Sequence, residues 1–157
     1  MFDIAAERGG MGGNVFEQDY LVHLLLQFFR GLMRSHELRQ EKDDPQAAAD
    51  LLEGAIGSAV EMDGSTLLSL APESIATVMQ VSGVDPDVTQ FVACGLLLES
   101  VYLTDAGNLE KAAIRAGQAR AIAAEYGFDL PDDPSDFDLL SEGLEEAALA
   151  GGFSKIG

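Results

Sequence analysis

Phe16-Glu17-Gln18-Asp19-Tyr20-Leu21-Val22-His23-Leu24-Leu25-Leu26-Gln27-Phe28-Phe29-Arg30-Gly31-Leu32 is the stretch on which the fold turns. Phe16, Tyr20, Leu24, Phe28 and Leu32 recur every four residues, and Leu21, Leu25 and Phe29 form a second apolar row beside them. Side chains four apart share a helix face, so this spacing predicts a helix from about Glu17 to Arg39. Only a narrow stripe is polar: Asp19, His23, Gln27, Arg30 and Arg34. A helix that is apolar around most of its circumference belongs in a domain centre or a subunit interface. It is therefore expected to form the structural heart of the chain and the contact of a homodimer.

Upstream, Gly9-Gly10-Met11-Gly12-Gly13-Asn14 predicts a flexible leader over residues 1–14, because glycine loses the most backbone entropy on becoming helical. No strand precedes these glycines and no Gly-Lys-Ser/Thr follows, which excludes a phosphate-binding loop. A helical domain is expected over 15–127. Within it, Asp43-Asp44-Pro45 opens a second helix that reaches about Val60, with an aspartate cap and proline in the first turn. Asp63-Gly64-Ser65 breaks that helix, and two short helices follow, Thr66 to Leu70 and Glu73 to Gln80. A fifth helix begins after Asp85-Pro86 and runs to about Thr104, and a sixth spans Leu109 to Tyr126 until Gly127 ends it. Sustained two-residue alternation, the mark of a strand, is missing. The predicted fold class is all-α, a bundle of six or seven helices arranged as antiparallel hairpins.

The 157 residues carry 27 acidic and 9 basic side chains, a net charge of -18. With 47% hydrophobic residues and a mean hydropathy of +0.10, the chain is too apolar for a disordered acidic tail. Such a charge repels phosphate backbones, so ordinary nucleic-acid binding is not expected. The same charge leaves room for mimicry of nucleic acid against a basic partner. A single cysteine, Cys94, rules out an internal disulfide and any cysteine-cluster metal site. No window approaches the roughly 18 uncharged apolar residues that span a bilayer, and no basic start leads into an apolar signal. The expected location is the cytoplasm, with no membrane partner.

Two segments echo each other at an offset of 64 residues: Ala48, Leu52, Ala55 and Ala59 against Ala112, Ala116, Ala119 and Ala123. Small residues at this spacing let a helix approach an antiparallel neighbour closely, the logic of stacked helix pairs. The stretch Ser100-Val101-Tyr102, Gly107-Asn108-Leu109-Glu110-Lys111-Ala112, Ala116 and Ala119 resembles one tetratricopeptide repeat. It lacks the early tryptophan, carries Ala116 in place of the usual aromatic and has no closing proline in register. Phe16-Glu17-Gln18-Asp19-Tyr20-Leu21 with Gln27-Phe28 is also similar to the opening of an uncharacterised bacterial family of small all-helical proteins with a tetratricopeptide-like hairpin. That likeness spans about residues 16–127 and implies a fold without implying a mechanism.

Asp19 and His23 lie four apart, which suits an oriented imidazole, but neither a serine nor a cysteine stands in a nucleophile motif. Two histidines 13 residues apart do not make a familiar zinc site. Cys94, between Ala93 and Gly95, has no cationic neighbour and is expected in the core. Asp129 to Asp138 is dense in carboxylates without the glycine and closing glutamate of a calcium loop. Residues 128–157 are expected to form an acidic linker and a C-terminal amphipathic helix, Phe137 to about Ala150.

No catalytic residue, metal ligand or cofactor is assigned. Cations gather on the first and sixth helices, where Arg30/Arg34 and Lys111/Arg115 are each four apart. The expected function is non-catalytic protein binding or assembly. Its expected surface is Tyr20, His23, Gln27, Arg30 and Arg34, with Lys111 and Arg115 as a second stripe, receiving an acidic segment of a partner or of this chain; ordinary surface pairing of these cations with Glu37, Glu41 and Glu110 is the competing expectation. The alternative is a small-molecule sensor or unusual enzyme, with a pocket between helices that uses Asp19 and His23.

Overall fold

The computed structural model of the protein describes residues 10–130, with side chains over 20 and 23–130. Six helices follow in order: α1 (Gly10–Glu41), α2 (Pro45–Val60), α3 (Gly64–Leu67), α4 (Pro72–Val81), α5 (Pro86–Asp105) and α6 (Leu109–Tyr126). There is no strand among the described residues, and the architecture is an all-α bundle. Local sequence sets the starts. Side chains of Asp44, Asp63, Asp85 and Asn108 accept hydrogen bonds from backbone N–H groups in the first turns of α2, α3, α5 and α6. Such caps contribute about 1 kcal/mol each. Pro45, Pro72 and Pro86 occupy first-turn positions, where the missing N–H costs nothing.

Two elements depart from expectation: α3 runs Gly64–Leu67 rather than Thr66 to Leu70, because Asp63 caps it, and α1 starts early. α1 begins at Gly10, so residues 10–14 are helical rather than part of a flexible leader. Extending an existing helix fixes one residue for each hydrogen bond gained, without the cost of nucleation. Residues 1–9, and the acidic linker and C-terminal helix expected from 131 onward, lie outside the described residues.

α1 and α2 form one hairpin and α5 and α6 another, with α2 packed on α5 between them. Gly31 meets Ala55 while Leu24 and Gln27 share a cavity with Ser58 and Ala59, so α1 and α2 run antiparallel. α3 lies against α2, and α4 packs on α6, with Pro72 beside Gly117 and with Ile75, Ala76 and Met79 buried in the core. The centre is α5, whose residues Phe91–Ser100 are buried without interruption. This corrects the expectation that the first helix is the heart of the chain. α5 is packed by α2, α6 and α1, whereas α1 has one main neighbour and buries one face, with Leu25, Phe28, Leu32 and Ser35.

Glycine permits a close contact between α5 and α1 in this core. A Cβ at Gly95 would stand 2.7 Å from Cζ of Phe28. The Phe28 ring in turn meets Phe91 edge-on, with centroids 6.2 Å apart. At the 64-residue offset read from the alanines, Gly31 pairs with Gly95 and the cap Asp44 pairs with the cap Asn108. Gly31 also sits at a close approach, where a Cβ would come 2.8 Å from that of Ala55. Gly95→Val is expected to lower unfolding stability by about 2 kcal/mol in chemical denaturation, through overpacking against Phe28. Gly54→Ala in α2 meets nothing within 4 Å and is expected to raise stability by up to about 1 kcal/mol through helix propensity.

Candidate functional site

The two cationic stripes have opposite fates in the structure. Arg115 faces inward from α6 and is only 4% exposed. Its Nε donates to Glu99 Oε2 at 2.9 Å, its Nη2 to Glu53 Oε1 at 3.1 Å, and its Nη1 to the Leu68 carbonyl at 2.9 Å and Gln118 Oε1 at 3.2 Å. Gln118 Nε2 donates to the carbonyls of Leu68 (3.0 Å) and Leu70 (2.8 Å). The four-residue α3 leaves such C-terminal carbonyls without helical partners, and α6 supplies them. Lys111 Nζ lies 3.8 Å from the same Glu53 oxygen. The expected Lys111/Arg115 docking stripe is therefore corrected: Arg115 is spent on an internal network, and Lys111, half-exposed, leans on its rim.

Glu99 is 1% exposed, and its Oε1 has no hydrogen-bond partner among the described residues. Burial pushes its carboxyl up to about 8, with Arg115 pulling the other way and Glu53 adding to the rise. Burial thus favours the neutral carboxyl against the opposing pull of the Arg115 guanidinium 2.9 Å away. Cys94 is core, as expected, and burial pushes its thiol up to about 12.

The other stripe faces outward. His23, Gln27, Arg30 and Arg34 are all exposed on α1, together with Tyr20 (52%), Leu26 (42%) and Met33 (39%). At the far end of the same helix, Arg39 bonds Asp105 of α5 at 2.8 Å and Asp43 at 3.4 Å. Arg30 and Arg34 make no ion pair among the described residues. Two like charges four apart on a helix repel by a few tenths of a kcal/mol, and nothing within the described bundle relieves them.

Beside this face, α1 and α2 part into a groove. One cavity of about 280 Å³ is lined by Leu24, Gln27, Phe28, Ala55, Ser58 and Ala59. A second of about 280 Å³ shares Leu24 and Ala59 and extends to Tyr20 and the turn at 82–85. Of the proposed sensor residues, His23 is on the outer face and the side chain of Asp19 lies outside the described residues. Among the described residues no cluster of three or more His, Cys, Asp or Glu is placed to hold a metal, and no helix is long and apolar enough to cross a membrane.

No family model matches the chain, and neither does a curated protein or a solved structure. The sequence held a signal for the buried network that spacing alone did not decode. Glu99 is the single charged residue between Asp87 and Asp105, in an otherwise uncharged helix, and such a residue needs a buried partner. Glu53 and Gln118 carried no comparable signal.

Because the folded-state pKa of Glu99 is raised, the native state holds a proton that the unfolded chain releases above about pH 4.5. Its stabilising contribution is full below that point and is lost as pH rises towards about 8. Denaturation midpoints measured from pH 5 to 9 are expected to fall, and Glu99→Gln to flatten the profile. Arg115→Met is expected to cost about 3–5 kcal/mol, since it leaves the buried Glu99 without its donor and removes one of two donors from the Leu68 carbonyl.

Proposed function

We propose that the protein is a non-catalytic interaction or assembly module of the cytoplasm that receives its partner on the outer face of α1. One observation carries this reading: Arg30 and Arg34 stand exposed and unpaired, among the described residues, beside exposed Leu26, Met33 and Tyr20. Arginine, methionine and aromatic residues are the types enriched where proteins meet. The unrelieved pair of cations favours an acidic segment as the thing received, and surfaces of this chain at large are acidic enough to be repelled elsewhere on one another. The two hairpins, related by the 64-residue echo, are read as stacked in the manner of tetratricopeptide hairpins, in keeping with the resemblance to the small helical family.

A second reading rests on the groove between α1 and α2. Its small-residue wall and the polar ends of Gln27 and Ser58 suit a compact, largely apolar ligand. A metabolite retained in native mass spectra and lost on Ala59→Phe would favour it.

The docking reading is tested by affinity purification of the tagged chain from its native cell. Arg30→Glu with Arg34→Glu is expected to reduce every specifically retained protein about tenfold or more, while circular dichroism stays unchanged because both side chains are exposed. Equal capture by wild type and variant would overturn it.

A further inference from the structure

Along α1, His23, Leu26, Arg30, Met33, Glu37 and Gln40 follow one another at steps of three and four residues, and all six are exposed. That is a 3.5-residue period, the repeat that keeps one seam of a helix turned towards a partner helix. The seam runs for about 26 Å at 1.5 Å per residue, apolar at Leu26 and Met33 and charged between them. Arg30 and Glu37 bear opposite charges seven residues apart, and neither makes an ion pair among the described residues.

The charges distinguish the possible orientations of a second helix. A parallel copy would set Arg30 against Arg30 and Glu37 against Glu37, which is repulsive twice. An antiparallel copy sets each Arg30 against the partner's Glu37, which is attractive twice, and brings the two Met33 side chains together on the axis. A twofold axis of this kind makes one patch serve both sides of the contact. Resting on the reading of α1 as a docking face, we propose that its occupant is a second copy of this chain, laid antiparallel along the seam from His23 to Gln40 with its axis near Met33. The acidic group that Arg30 receives is then the second copy's own Glu37, whereas an unrelated, uniformly acidic segment would meet Glu37 of this chain as well as the arginines.

Sedimentation velocity of the full chain over a range of concentrations tests the proposal. The wild type is expected to be a dimer, and Arg30→Glu or Glu37→Arg alone to weaken association about tenfold or more. Arg30→Glu combined with Glu37→Arg in one chain is expected to restore it, and so is an equimolar mixture of the two single variants. A wild type that stays monomeric throughout overturns the proposal, as does a dimer indifferent to the single reversals or a double variant that fails to recover. If a monomeric wild type still loses its co-purifying proteins on the Arg30 and Arg34 reversals, the second copy is overturned and the docking face stands. If neither association nor capture responds, both fall.

Discussion

The bundle depends on one buried guanidinium. Arg115 reaches from α6 to α5 through Glu99, to α2 through Glu53 and to the segment after α3 through the Leu68 carbonyl. With Gln118 beside it, the same helix also holds the Leu70 carbonyl. The two hairpins and the connector between them thus meet at a single polar knot inside an otherwise apolar core. Buried ion pairs seldom add much net stability over a well-packed apolar substitute, because both charges must leave water. What they supply here is placement. The carbonyls after α3 accept hydrogen bonds in one position, so the connector has one seat.

The knot also explains the difference between the two halves. At the 64-residue offset, Glu99 and Arg115 of the second hairpin correspond to Ser35 and Leu51 of the first. The first hairpin carries a small hydroxyl and an aliphatic residue at these positions instead. Ser35 settles its hydroxyl on the Leu32 carbonyl of its own helix at 2.7 Å. The repeat in sequence covers the alanine rows and the caps, whereas Gly31 meets Ala55 within its own hairpin, Gly95 meets Phe28 and Ile56 of the other, and the second half adds a charged network.

With Arg115 buried, Lys111 leaning on its rim and Arg39 bonded to Asp105 and Asp43, Arg30 and Arg34 are left as an exposed pair of cations four apart in the middle of α1. An acidic chain of -18 tends to keep copies apart, so any contact between copies needs a local reversal of sign. The stripe with Arg30 and Arg34 is such a place, and it lies beside Leu26 and Met33, which remove apolar area from water on contact. In the proposed contact, electrostatics would direct the approach and the apolar pair would hold it.

Helix number, helix order and most boundaries were legible in the residues themselves, the start of α1 and the ends of α3 excepted. Proline, aspartate and glycine punctuation acts within a few residues, and periodicity needs only one helix to be read, so the starts at Pro45, Pro86 and Leu109 followed directly. The same local rules placed Cys94 in the core and His23, Gln27, Arg30 and Arg34 together on one stripe of α1. They did not tell which helix would be central. Both α1 and α5 are apolar on several sides, and only packing gave α5 neighbours all around and left α1 at the rim. Nor did they separate Arg115 from Arg30, since two cations four apart look alike on any helix. The partners that pull Arg115 inward, Glu99 and Glu53, are 16 and 62 residues away along the chain. Which cations face water is decided by where distant carboxylates come to lie, and that exists only once the helices have packed.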